Sequence, residues 1–328
     1  MGNNRQAFIT ATRLRASAAA GLVAIAIGMV GGGSAGAYAQ PASEKDKVVK
    51  AAHPAKVNVI ADSGVAVAGE VLNLGITIDL EPGWHVYWPG INDSGLPPKW
   101  TLTLPAGWTE LPAVWPFPHR YELPGDIVDH TLEGKVTIRV PVSVGSDAKV
   151  GSTETIGVKL DWMVCKEACL LGDGEFKVSV AVAASGTKPP PAGASVNANR
   201  DRIASVSAAK ALPADGSVTA VVREGKLMIT AARATKIEYM PSMESRKPAD
   251  MVSGVTALGE SLSVAFDADQ APSVPVRGLV AVTAPVVLPP NTSLQPRSET
   301  VYYSVDFTAP AVPATEPVSI PSVAPVTK

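Results

Sequence analysis

The chain contains only two cysteines, and their spacing is the feature most suited to chemistry. Cys165 and Cys169 are separated by three residues. Across a three-residue hairpin loop such residues face each other with Cα atoms about 4.5–5.5 Å apart, a separation that a disulfide tolerates. The alternating pattern before Cys165 favours this hairpin over one helical turn. We therefore expect the two sulfurs to lie within bonding reach at a hairpin tip.

Three interpretations of this pair are open from the residues alone. A redox pair would exchange disulfides through thiolate attack and a mixed disulfide. A passive staple would close a loop of about five residues and contribute roughly 2 kcal/mol. A soft-metal site for copper or zinc would use the thiolates as ligands. The histidines show no spacing that pairs with the cysteines; they are His53, His85, His119 and His130.

The elements that must position the cysteines read as short β-strands. Apolar and polar residues alternate in seven or so runs separated by Gly/Pro turns, which predicts an immunoglobulin-like sandwich. These runs are Val57–Ile60, Val65–Val67, Val71–Leu80, Lys99–Leu104, Gly134–Val144, Ile156–Trp162 and Phe176–Val180. If Val158, Leu160 and Trp162 face the core, Cys165 lies on the opposite phase, and its sulfur is expected to be reachable.

The rest of the chain predicts an exported protein with two domains. Arg5, Arg13 and Arg15 precede an uncharged apolar stretch, and Ala37-Tyr38-Ala39 supplies a cleavage pattern. We expect a signal peptide over 1–39, a first sandwich over 40–185, a Pro-rich linker over 186–201, a second β-sandwich over 202–308 and a disordered tail over 309–328. The fold class is therefore all-β, with two sandwiches in tandem.

Charge and motifs exclude several function classes. Removal of the three leader arginines leaves 25 basic and 30 acidic residues. This negative balance gives no excess of basic residues to bind nucleic acid. Phosphate-binding loops, nucleophile elbows and zinc-protease motifs are absent from the sequence. We expect neither a small-molecule cofactor nor a resident metal.

Several segments resemble the N-terminal periplasmic domain of the DsbD family of protein-disulfide reductases, including its ScsB branch. They are Gly83-Trp84-His85-Val86-Tyr87-Trp88, Asp93-Ser94-Gly95-Leu96-Pro97, Leu104-Pro105-Ala106-Gly107-Trp108, Trp115-Pro116-Phe117-Pro118 and Trp162-Met163-Val164-Cys165-Lys166-Glu167-Ala168-Cys169. The last segment is the most specific. The spacing of the cysteines is shorter than in the best-known family members, but the ScsB-like branch tolerates it.

The resemblance implies a function and a set of site residues. Cys165 and Cys169 would be a redox pair in the periplasm, shielded by an aromatic cap loop until a partner docks. By position that loop runs from Trp115 to Tyr121, with Phe117 as the expected cap. The family's partners are a membrane-embedded thiol reductase and thioredoxin-like exported proteins. Because the sequence has neither the membrane domain nor the thioredoxin-like domain of the family, we expect the membrane partner to be a separate protein.

The leading prediction is thus a component of a protein-disulfide reductase that relays electrons to exported proteins. One alternative is an envelope binding module in which the disulfide is purely structural. Another is a copper-handling protein, which the ScsB-like resemblance and the two soft thiolates suggest.

Overall fold

The computed structural model describes residues 53–189, 193–287, 295 and 297–308. The predicted signal peptide with its cleavage after Ala39, and the predicted tail over 309–328, lie outside these residues. Within the described residues, no helix is both long enough and apolar enough to cross a membrane.

The first part of the chain folds into two facing sheets. One sheet has the strand order β1-β3-β9-β6, and the other has the order β2-β11-β10-β4-β8-β7 with β5 paired to β10. The strands are β1 (Ala55–Ala61), β2 (Val65–Val67), β3 (Val71–Leu80), β4 (His85–Tyr87), β5 (Lys99–Thr103), β6 (Thr109–Glu110), β7 (His119–Leu123), β8 (Ile127–Glu133), β9 (Lys135–Ser143), β10 (Thr153–Cys165) and β11 (Cys169–Ala183).

Alternation of apolar side chains explains how these sheets pack. Ile76 and Ile78 of β3, Ile138 of β9 and Ile156 and Leu160 of β10 are all fully buried in one core. Each carries a branched side chain on one face of a pleated strand, an arrangement that favours a half-buried sheet.

The second part of the chain repeats this architecture. Its sheets have the orders β12-β13-β16 and β15-β14-β17-β18. The strands are β12 (Val218–Arg223), β13 (Lys226–Ala231), β14 (Lys236–Pro241), β15 (Thr256–Leu258), β16 (Ser261–Ala265), β17 (Val276–Pro285) and β18 (Ser298–Phe307). The predicted fold class, two immunoglobulin-like sandwiches in tandem, is confirmed.

A short helix begins in the segment predicted as linker, 186–201, and continues three residues into the segment predicted as the second sandwich. Helix α1 spans Ala194–Ala204 and packs on β3 of the first sandwich. Ile203 is buried against Gly75. A side chain at position 75 would clash with Ile203, because a Cβ there would lie 2.7 Å from Ile203 Cγ1. Arg202 donates hydrogen bonds to Asp79 and to Thr137 Oγ1. Tertiary contacts of the last helical turn therefore hold this segment.

The two sandwiches share their apolar cores. Met240 and Ala281 of the second sandwich pack in the core of the first, and Val128 of the first packs in the core of the second. Backbone hydrogen bonds run from Ile91 N to Pro241 O and from Met243 N to Pro89 O. Strand β8 and the segment 89–91 are therefore held by contacts with both sandwiches.

Candidate redox site

The hairpin formed by β10 and β11 carries both cysteines at its tip. Thirteen residue pairs continue in register from Thr153 opposite Ala181 to Cys165 opposite Cys169. The two sulfurs are bonded at 2.02 Å, with Cα atoms 4.1 Å apart. Lys166 N donates to Ala168 O and closes the three-residue loop. The prediction that the sulfurs lie within bonding reach at a hairpin tip is confirmed.

The two cysteines differ sharply in accessibility. Cys169 is exposed, whereas Cys165 is only 3% exposed. The expectation that the Cys165 sulfur is reachable is wrong, because its face of the strand is covered. Strand β4 pairs with the end of β10 at His85 opposite Cys165, and the residues of β4 are buried. An incoming group therefore meets Cys169 first.

A row of paired residues extends from the disulfide across the sheet. Cys169 pairs with Cys165, Cys165 with His85, and His85 with Glu133 of β8. Side chains of directly opposed residues lie on the same face of a sheet, about 4.5–5.5 Å apart at Cβ. Burial lowers the pKa of His85 below its ordinary value, while Glu133 and then Asp129 act in the opposite direction.

A hydrogen-bonded chain leads away from His85. His85 Nε2 lies 3.3 Å from Tyr87 Oη, and Tyr87 Oη lies 3.3 Å from Ser94 Oγ. Ser94 Oγ donates to Asp129 Oδ2, and Asp129 Oδ1 also accepts the backbone N–H groups of Asp93 and Ser94. Burial raises the pKa of Tyr87. His85, Tyr87 and Asp129 are buried, whereas Ser94 between Tyr87 and Asp129 is exposed, so this hydrogen-bonded chain meets solvent at Ser94.

The sequence did not indicate the hydrogen-bonded chain from His85 to Asp129. His85 and Tyr87 share a strand face by their spacing of two, but Ser94 and Asp129 come from separate loops and strands. Only the pairing of β4 between β10 and β8 brings them together.

The three predicted cap residues occupy different surroundings. Trp115 packs against Trp100 with ring centroids 5.6 Å apart. Phe117 stacks on Tyr302 of the second sandwich, with centroids 4.0 Å apart and an interplanar angle of 7°. Tyr121, in β7, is 41% exposed and lies 5.7 Å from the His85 ring. Of the three, Tyr121 is the residue placed beside a neighbour of the disulfide; their function as a cap stays a prediction.

An apolar groove of about 720 Å³ lies beside the hairpin. Leu171, two residues beyond Cys169, is 80% exposed at its edge, and Met243 of the second sandwich contributes to it. The other apolar lining residues are Leu96, Pro97, Pro98, Trp162 and Met163. Among the described residues, no group of three or more His, Cys, Asp and Glu side chains is arranged to hold a metal.

Comparisons with solved structures found distant similarity. The N-terminal periplasmic domain of ScsB from Proteus mirabilis is 13% identical, with 77% of this chain and 93% of that chain covered and a TM-score of 0.47. The Salmonella enterica SafA pilin in complex with the SafB chaperone is 10% identical, with 76% and 96% covered and a TM-score of 0.23. BcpA, the major pilin subunit of Bacillus cereus, is 9% identical, with 78% and 67% covered and a TM-score of 0.26.

A search of curated protein sequences found no match. A family model matches residues 56–181, the span that contains both cysteines and nearly all of the first sandwich. Its description is the N-terminal part of the thiol:disulfide interchange protein DsbD. The chain therefore contains a DsbD N-terminal-like domain at residues 56–181.

Proposed function

We propose that this chain is a periplasmic relay of thiol–disulfide exchange. In this proposal the Cys165/Cys169 pair accepts electrons from a separate, membrane-embedded DsbD-like reductase. It passes them to disulfides of thioredoxin-like exported proteins. The observation that carries the proposal is a disulfide at a hairpin tip in which residue Cys169 is exposed and residue Cys165 is buried. The family description supports thiol–disulfide interchange at this general level.

The difference in exposure supports an order of attack for the two cysteines, in which Cys169 acts first. When the reduced pair meets an oxidised partner, the Cys169 thiolate attacks the partner's disulfide and a mixed disulfide forms. The partner's S–S bond breaks, and its second sulfur leaves with the electron pair. Cys165 then attacks Cys169 Sγ, restores the internal disulfide and releases the partner's first sulfur. The partner has gained two electrons and, from the two thiols, two protons.

The surroundings of the pair supply surface for a partner. The exposed side chain of Leu171 lies on the same hairpin as Cys169, and that hairpin forms part of the apolar groove. A partner that brings a sulfur to Cys169 would cover this apolar surface, and such surface is typical of the core of a protein interface. In the proposal, Tyr121 belongs to the cap, and Phe117 fixes the cap segment on the second sandwich.

Single-cysteine variants test the proposal. The reduced Cys165→Ser variant retains the exposed attacking thiol but has no resolving thiol. We expect it to accumulate a mixed disulfide with an oxidised thioredoxin-like protein, measured by mass spectrometry under non-reducing conditions. Cys169→Ser should accumulate far less, because its remaining thiol is buried. If neither variant forms a mixed disulfide with any thioredoxin-like protein, the relay is wrong.

A redox titration separates the relay from a structural staple. A relay must be reduced and reoxidised near the potentials of thiol–disulfide oxidoreductases, whereas structural disulfides in exported proteins typically have midpoints below about −300 mV. We expect the pair of the full chain to equilibrate with glutathione or dithiothreitol buffers. A pair that stays oxidised in all such buffers would identify a binding module stapled by its disulfide.

A further inference from the structure

His85 is the side chain that the sheet places next to the buried member of the pair. It lies directly opposite Cys165 in the adjoining strand, and no hydrogen-bond partner for its Nδ1 is found among the described residues. The distance between opposed residues in a sheet allows a proton to pass directly or through one water molecule. Cys165 is buried, so once the disulfide is reduced its thiol proton does not exchange readily with bulk solvent.

The hydrogen-bonded chain behind His85 has a defined direction. A carboxylate only accepts, so the Ser94 hydroxyl donates to Asp129 and is left to accept from Tyr87. The Tyr87 hydroxyl donates to Ser94, and its oxygen therefore accepts from His85 Nε2. A neutral His85 consequently carries its proton on Nε2 and a lone pair on Nδ1. The buried Asp129 thus sets the tautomer of His85 from the far end of the chain.

We propose that His85 is the base that takes the proton from Cys165 in the step that resolves the mixed disulfide. Asp129, Ser94 and Tyr87 act as positioning residues that hold His85 with Nδ1 as the acceptor. This inference rests on the proposed function, because it assigns a residue to one step of that relay.

The step balances without a further reactant. The Cys165 thiol loses its proton to His85 Nδ1, and its sulfur attacks Cys169 Sγ. The Cys165–Cys169 bond forms, and the bond between Cys169 and the partner breaks. The electron pair leaves on the partner's sulfur, which is protonated by the imidazolium or by solvent. In the reverse direction, when a donor reduces the pair, the imidazolium returns the proton to Cys165 as it leaves.

The charges around His85 are consistent with a base that is neutral before the step. Burial, the largest influence, lowers its pKa and keeps the imidazole neutral, whereas Glu133 and Asp129 of β8 favour the imidazolium that forms during transfer. The other groups on this face are Tyr87 of its own strand and Tyr121 of β7. On the hairpin side, Lys166 and Glu167 lie in the loop between the two cysteines and carry opposite charges.

A two-phase colour assay isolates the resolving step. The reduced full chain is mixed with an aromatic disulfide that releases a coloured nitrothiobenzoate. Attack by Cys169 releases the first equivalent at a rate proportional to reagent concentration, and attack by Cys165 releases the second at a rate independent of it. We expect His85→Gln to leave the first phase unchanged and to slow the second by roughly 10- to 100-fold at about pH 7.

The pH profile distinguishes a base from a structural side chain. In the natural protein the second phase should vary little between about pH 6 and about pH 8, because neutral His85 accepts the proton. In His85→Gln it should rise about tenfold per pH unit, since only the rare Cys165 thiolate then reacts, and the difference should close at high pH. A loss that is the same at every pH would overturn the proposal, as would an unchanged second phase.

Two further variants complete the test. Tyr87→Phe keeps the ring but breaks the hydrogen-bonded chain, so the second phase should slow several-fold even if His85→Gln folds poorly. His53→Gln is the matched control, because it makes the same substitution at a histidine that packs on Trp162. It should leave both phases unchanged. If the natural protein shows no second phase at all, the relay itself fails. If it shows one that His85→Gln and Tyr87→Phe do not alter, only the assignment of His85 fails.

Discussion

Phe117 of the first sandwich stacks face to face on Tyr302 of the second, with ring centroids 4.0 Å apart. The pair closes a contact between sandwiches that also includes Arg120, which donates to the backbone carbonyls of Met251 and Val252. The segment from Trp115 to Tyr121, which the family resemblance implies is a cap loop, thus contacts the following sandwich at two points.

The stacked pair should stabilise the docking of the two sandwiches. We expect Phe117→Ala and Tyr302→Ala each to lower the free energy of unfolding by about 1–3 kcal/mol, since each removes an aromatic contact surface. In urea titrations of the full chain, the double variant should show a coupling energy of about 0.5–1.5 kcal/mol. Strictly additive losses would mean that the stacking itself contributes nothing.

Helix α1 should be fixed by its last turn. Ile203→Ala removes a buried side chain that packs over Gly75, and should cost about 2–4 kcal/mol of unfolding free energy. Asp201→Ala, on the exposed side of the same helix, should change it by less than about 0.5 kcal/mol. Equal effects of the two substitutions in denaturant titrations would contradict this docking.

Leu171 should contribute to partner recognition but not to the chemistry of the pair. Leu171→Glu places a charge at the edge of the apolar groove, and should slow exchange with a thioredoxin-like protein by roughly tenfold. Exchange with a small aromatic disulfide should be unchanged, because Cys169 stays exposed. Val221→Glu, a similar change on an exposed strand of the second sandwich, is the matched control. An equal effect of both substitutions on the protein partner would contradict a specific role.

Stability should fall as the pH is lowered, partly through His130. Burial, the main cause, lowers the pKa of His130 from 6.5 to about 4. Between these values the unfolded chain binds a proton that the folded chain does not, so this contribution to stability is complete above about pH 6.5 and is lost towards pH 4. We expect a loss of about 2 kcal/mol between about pH 7 and about pH 5.

Comparison with His130→Gln isolates that contribution. Urea titrations at the two pH values should show a smaller loss for the variant, even though it is less stable overall. His85, whose pKa is also lowered by burial, contributes with the same sign in both proteins. An identical loss in the variant would show that His130 does not carry the effect.

The strands with clear alternation were predictable from the sequence, and the short strands around the site were not. Val71–Leu80 was predicted with the bounds that β3 has in the structure, and the spacing of the cysteines indicated the hairpin. Strand β8 lacks alternation because both of its faces are covered. Residues 128–132 are all buried. On the face that Val128 and Leu132 share, Val128 packs in the core of the second sandwich and Leu132 in the core of the first.

The error at Cys165 has a related cause. Phase along a strand tells which face a residue occupies, but not what covers that face. Strand β4 is only three residues long, and its pairing with the last residue of β10 has no signal in the sequence. Helix α1 was missed because contacts of Arg202 and Ile203 with the first sandwich hold it, and its own residues show no apolar period.

Because Met240 packs in the core of the first sandwich and Val128 in the core of the second, each sandwich supplies part of the apolar core of the other. In a fragment that ended at residue 185, Val128 and Phe117 would be exposed to solvent, and the fragment would tend to aggregate. Biochemical experiments on the first sandwich alone would therefore describe a domain that lacks the core contacts of the native protein.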